Sequence, residues 1–288
     1  MLSDREKRFL DTLLFSNIFI ALCAMAQGAL TYLLLRQPID VFVVCLLGTA
    51  TLFLYNFSMV LSRPGAPSSS RRSNWTYTHF GLIQAITLIS ALALIPFAVK
   101  LSMPALGFLS LTGLLAISYG LPIFKGKSRP HGLRGLPGAK LFLIALVWTF
   151  SCVCLPIIEL RSEGVMISNL DSTLLAAKRF LFITAITIPF DIRDLFQDKQ
   201  YQLKTIPVML GPQNASRVCL LLMAAHILLL IIFVDRIDLP AVGLIAVTSL
   251  AAWLVFKSSW EKNEYYYFLW LDGTLILQFL SVALLRLL

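Results

Sequence analysis

The chain has 288 residues, of which 58% are apolar and 14% charged, and its mean hydropathy is +0.82. A water-soluble domain carries roughly a quarter of its residues as charges, and here the apolar residues fall in long blocks, so soluble, fibrous and disordered classes are excluded and an integral membrane protein is expected. The formal charge of +9 does not point to nucleic acid, because the basic residues sit in short loops between apolar blocks, where membrane insertion places them. The five cysteines all lie within apolar stretches, which favours packing over disulfides or metal binding.

In chain order, blocks long enough to cross about 30 Å of hydrocarbon at about 1.5 Å per residue run over Leu10–Leu35, Ile39–Leu61, Tyr77–Val99, Ala105–Tyr119, Ala139–Leu160, Leu174–Phe190, Asn214–Val234, Leu239–Phe256 and Tyr266–Leu288. These predict a single all-α domain over residues 1–288 with nine transmembrane helices. The first block exceeds the 7–15 residues typical of a signal h-region and is read as a permanent span. Seventeen of the 24 Lys and Arg fall on the side shared by the N-terminus and the loops after the second, fourth, sixth and eighth spans. The excess predicts that this side is cytoplasmic and that the C-terminus lies opposite. A bacterial inner membrane is the expected location.

The sixth span ends in Phe190-Asp191-Ile192-Arg193-Asp194-Leu195-Phe196-Gln197-Asp198-Lys199. If the helix continues through this segment, offsets of three and seven residues place Asp191, Asp194 and Asp198 within roughly 60° of arc. Like charges so close repel unless a cation collects them. Mg2+ suits the role, since it takes hard oxygen ligands and binds through one or two carboxylates plus substrate phosphates. Lys125, Arg134, Lys140 and Lys204 are candidates for the opposite side of a diphosphate, whose departure requires neutralisation of charge on the leaving oxygen. The bland alternative is a solvated helix end whose aspartates pair with neighbouring lysines and arginines.

The segment Asp191 to Asp198, followed by Lys204-Thr205-Ile206-Pro207-Val208 and Leu210-Gly211, resembles the second aspartate-rich motif of the UbiA superfamily of intramembrane prenyltransferases. Tyr119-Gly120-Leu121-Pro122 and Lys140 to Trp148 extend the resemblance more weakly. It implies a bundle of nine helices around a central cavity open to the cytoplasmic boundary. In the family's first motif, N-D-x-x-D-x-x-x-D, Asn56 matches, while Phe57, Val60 and Pro64 replace the aspartates. The implied metal set is therefore Asp191, Asp194, Asp198 and Asn56, with Ser58 or Ser62 adding neutral oxygens. Arg63, Arg71 or Arg72 is then available to replace a second metal, because guanidinium forks suit phosphate oxygens.

Asn17, Tyr119, Phe57, Ser58 and Asp272 are the expected cavity residues. Asp272, inside the last span, is costly to insert unless paired, protonated or facing a wet cavity. The leading functional expectation is Mg2+-dependent transfer of a prenyl group from a polyprenyl diphosphate to a hydrophobic or aromatic acceptor, with membrane lipid as the surroundings. An intramembrane terpene cyclase and a catalytically silent lipid-binding protein are the alternatives. A transporter ranks last, since no repeated half or pair of broken helices is seen.

Overall fold

The computed structural model describes residues 3–63, 70–120, 139–200, 203–234 and 237–287. The described residues form an all-helical integral membrane bundle in which seven helices are long and apolar enough to cross a membrane. A bent pair makes up an eighth candidate, and Met103–Ser118 is a shorter apolar helix.

The expected first span is two helices, α1 (Asp4–Phe15) and α2 (Ile18–Leu34), bent by 59°. The reason is local: Asn17 takes a left-handed backbone with φ 64°, a conformation that Asn tolerates better than most side chains. Helix α3 (Val41–Leu61) starts on Asp40, whose carboxylate accepts from the Phe42 and Val43 amides. The expected third span begins later than its apolar run suggests, because a separate polar helix, α4 (Arg71–Thr78), precedes α5 (Phe80–Ala98). Helix α6 (Met103–Gly120) follows.

The fifth span is α7 (Ala139–Thr149), a π-helical turn (Phe150–Cys154) and α8 (Leu155–Ser162). The sixth, α9 (Asn169–Arg193), begins on the Ser168 cap and is longer than expected at both ends. It stops at Asp194, so the aspartates do not share one continuous helix. Asp198 belongs to α10 (Leu195–Gln200), which is followed by α11 (Ile206–Leu210), α12 (Pro212–Phe233) and α13 (Leu239–Phe256). A second π-helical segment (Tyr266–Leu271) then runs into α14 (Asp272–Leu285).

Lipid tails are as apolar as leucine, so close packing and interhelical hydrogen bonds hold such a bundle. The helices close into a ring: α2 packs on α14, α14 on α13, α13 on α12, α12 on α9, and α9 on α7, while the Phe150–Cys154 turn returns to α2. Helix α3 packs outside, between α2 and α5. Gly28 lets α2 approach Leu47 of α3, because a Cβ there would sit 2.3 Å from Leu47 Cδ1. Thr31 donates to the Cys152 carbonyl at 2.6 Å, inside the π-helical turn, and Gln27 Nε2 donates to the Leu275 carbonyl at 2.7 Å. All five cysteines are free.

Candidate active site

Four features converge on one end of the ring: the α1–α2 bend, the start of α7, the end of α9 and the start of α14. Between them lies a cavity of about 210 Å³. Its polar end is lined by Asn17, Arg72, Lys140, Asp191, Arg193 and Asp194, and its apolar walls include Ile144, Trp148, Ile183, Ile186 and Leu275. Asp272 is also in the wall. Beside it a wider recess of about 620 Å³ shares Arg72, Arg193, Asp194 and Phe268.

Four of the charged groups at the polar end form two ion pairs. Lys140, in the first turn of α7, donates to Asp191 Oδ1 at 2.5 Å. Arg193 holds Asp194 with both ends of its fork, Nε to Oδ1 at 2.8 Å and Nη2 to Oδ2 at 3.1 Å. Two of the three aspartates are thus paired with cations, as the bland reading of the motif expects, yet both pairs face the cavity rather than bulk solvent.

Arg72 reaches in from α4. Its Nη2 donates to Asn17 Oδ1 at 3.0 Å, and its guanidinium carbon lies 4.7 Å from the Phe268 ring centroid, with that of Arg193 at 5.0 Å from the same ring. Burial and the neighbouring Arg193 push the Arg72 pKa down. Two cations crowded at one ring favour an anion beside them.

Helix α4 is anchored by a second network. Arg71 grips Asp11 of α1 through Nε at 3.0 Å and Nη2 at 2.8 Å, and Tyr265 donates its hydroxyl to Asp11 at 2.5 Å. Hydrogen bonding to Asp11 raises the Arg71 pKa. Burial, with the tyrosine's own hydrogen bond to Asp11, pushes Tyr265 up to about 12. Glu264 accepts from Ser70 Oγ and from the Arg72 amide. Arg71 therefore holds the helix in place, and its neighbour Arg72 lines the cavity together with Arg193.

Other expected residues lie apart. Asn56 is fully buried and does not line the cavity. Its Nδ2 donates to the Ser16 and Leu52 carbonyls, and its Oδ1 accepts from Asn17 Nδ2 at 3.0 Å. It braces the bend that aims Asn17 at Arg72. Phe57 stacks on Phe53, Ser58 is exposed, and Arg63 is exposed with its guanidinium over the Phe80 ring. Lys204 is exposed, and Asp198 is buried outside the cavity wall. Lys125 and Arg134 lie outside the described residues, as does the side chain of Tyr119. Arg193 is one of the basic groups that the sequence places around the aspartate cluster, whereas Phe268, Asp11 and Glu264 are not among the expected residues. These three carry no local signal.

Among the described residues no group of three or more His, Cys, Asp or Glu side chains is gathered to hold a metal by itself. Arg72, Lys140 and Arg193 balance Asp191, Asp194 and Asp272 in formal charge. A diphosphate entering this cavity brings negative charge that the wall does not neutralise. Asp191 and Asp194 supply two hard carboxylates, the number Mg2+ takes when diphosphate oxygens and water complete its shell. The donor set fits one such ion and only in company with a diphosphate.

The fold is that of a membrane-embedded helical bundle built around a cavity with a charged head and apolar walls. It is shared with solved UbiA homologues. A UbiA homologue from Archaeoglobus fulgidus bound to GPP and Mg2+ superposes with a TM-score of 0.66 at 12% identity, covering 96% of this chain and 100% of that one. The same protein bound to DMAPP and Mg2+ gives 0.65 at 15% identity, with 96% and 98% covered. An apo UbiA homologue from Aeropyrum pernix K1 gives 0.61 at 17%, with 94% and 96% covered. No protein-family model matches the chain, and no curated protein matches it in sequence.

Proposed function

We propose that the protein is a UbiA-superfamily prenyltransferase: it binds a polyprenyl diphosphate with Mg2+ at the cytoplasmic boundary and transfers the prenyl group to a hydrophobic or aromatic acceptor. The observation that carries this reading is the cavity itself, in which Lys140, Arg72 and Arg193 meet Asp191 and Asp194 at one end while Ile144, Trp148, Ile183, Ile186 and Leu275 line the rest. That division matches an amphiphile with an anionic head and a hydrocarbon tail. The Archaeoglobus homologue that shares this fold holds GPP or DMAPP together with Mg2+.

In this reading Mg2+ would sit on Asp191 and Asp194 and neutralise the departing diphosphate. Arg72 and Arg193 take diphosphate oxygens through guanidinium N–H groups, which suit phosphate geometry. Lys140 moves between Asp191 and the diphosphate as a point charge. Trp148 and Phe190 line the same cavity, where aromatic quadrupoles attract positive charge developing on the allylic carbon. Arg72 occupies the side where the first motif lacks its aspartates, so one metal suffices.

The test is incubation of the purified protein with Mg2+ and prenyl diphosphates of several chain lengths, with and without a quinol-like or phenolic acceptor. Pyrophosphate release with an adduct whose mass is that of the acceptor plus the prenyl group less one hydrogen supports transfer, and a hydrocarbon or terpene alcohol marks attack of the chain on itself. No release at any chain length, acceptor present or absent, overturns the proposal.

A further inference from the structure

The half of the bundle remote from Asp191 holds a second group of buried polar side chains that the proposed reaction does not use. Lys178 and Arg179 are neighbours on α9, with Lys178 thirteen residues before Asp191, which at 1.5 Å per residue is roughly 20 Å along the axis. They are 3% and 6% exposed, and neither forms an ion pair among the described residues.

Their donors are only partly used. Lys178 Nζ has no hydrogen-bond partner and lies 3.8 Å from the Phe233 ring centroid. Arg179 donates from Nη2 to the Gln27 carbonyl at 3.2 Å and leaves Nη1 without a partner. Gln278 accepts from Gln27 Nε2 at 3.3 Å, while its own Nε2 is also without a partner. His226 Nδ1 lies 2.9 Å from the Lys178 carbonyl, which fixes the proton on Nδ1 because a carbonyl only accepts. Lys178, Arg179, His226 and Gln278 line one partly open cavity of about 20 Å³.

A buried cation without a counter-charge is strongly disfavoured, and a buried donor left unmatched costs about 1–3 kcal/mol. Here two cations and an amide N–H border the same space, and no carboxylate lines it. The space is small, and apart from these donors and His226 its walls are leucines and Phe182, so an occupant has to be compact and carry its own negative charge. Water would fill the space without offsetting either charge. A monatomic anion does both.

We propose that Lys178, Arg179 and Gln278 form a buried site for a single halide ion, chloride under cellular conditions, which ties α9 to α14. The site is independent of the diphosphate cavity, so its test does not depend on prenyl transfer.

Two measurements on the full-length protein test it. Melting is followed as chloride replaces gluconate at constant ionic strength. Chloride at ten times its Kd is expected to raise Tm by roughly 3–6 °C, saturably, and Lys178→Met or Arg179→Gln is expected to abolish the rise. Crystals grown in bromide are expected to give an anomalous peak in the cavity lined by Lys178, Arg179 and Gln278. That peak decides the matter on wild-type protein even if both variants fail to fold. A Tm indifferent to halide, a halide effect that persists in both folded variants, or density for water or a lipid headgroup in place of bromide overturns the assignment.

Discussion

Arg72→Met removes the one arginine that the fold brings to the cavity from the degenerate first-motif side. Arg72 spends Nη2 on Asn17 and rests against Phe268, leaving the rest of its fork at the cavity wall. A charge-assisted hydrogen bond contributes about 1.5–3 kcal/mol, and about 1.4 kcal/mol is a factor of ten, so geranyl diphosphate should bind about 10–140-fold more weakly. Arg72→Lys keeps the charge without the fork and should fall between. The assay is calorimetric titration of the purified protein with geranyl diphosphate in Mg2+ at low and at physiological salt. Arg63→Met is the control, since Arg63 sits over Phe80 outside the cavity, and should change Kd by less than about twofold, as expected for a surface cation. A Kd for Arg72→Met within about twofold of wild type would refute the claim that a guanidinium stands in for a metal.

Asp194→Asn should remove the Mg2+ dependence of that binding while the protein still folds, because Arg193 keeps an amide oxygen to bond; Mg2+-dependent affinity unchanged in Asp194→Asn contradicts the metal assignment. Gly28→Val drives side-chain atoms into the buried Leu47, and overpacking of this kind costs about 1–3 kcal/mol, which should appear as a lower midpoint in detergent unfolding. With the Tyr265 pKa raised to about 12 against an ordinary value of about 10, the folded state holds this proton more tightly. Its contribution is therefore complete below about pH 10 and is lost as pH rises toward about 12. Tyr265→Phe should show a shallower loss of stability than wild type across that window, and equal slopes would count against the Asp11–Tyr265 hydrogen bond.

The hydrophobic blocks made the membrane bundle legible, because a helix in lipid satisfies its own backbone and needs only length and apolarity to be recognised. Hydropathy is blind to backbone sign, so the 59° bend at Asn17 was invisible inside a continuous apolar run. The aspartate motif contains Asp191 and Asp194, which line the polar end of the cavity, and Lys140 lies beside them, bonded to Asp191. The motif's spacing suggested one acidic stripe, but α9 ends at Asp194 and turns Asp198 into a separate short helix. Asn56 matched a motif position, yet fully buried and bonded to Ser16, Leu52 and Asn17, it braces the bend. Arg72 could be nominated but not chosen over Arg71 and Arg63. The choice depends on Asp11, Tyr265 and Glu264, which come from distant parts of the chain.

The central claim, that Asp191 and Asp194 collect a divalent ion together with a prenyl diphosphate, is tested most directly by a structure with Mn2+ and geranyl thiolodiphosphate. One anomalous Mn2+ peak is expected within about 2.5 Å of carboxylate oxygens from Asp191 and Asp194, with diphosphate density against Arg72 and Arg193 and the prenyl chain along Trp148 and Ile183. Diphosphate density elsewhere, or an ion away from both aspartates, would contradict the claim.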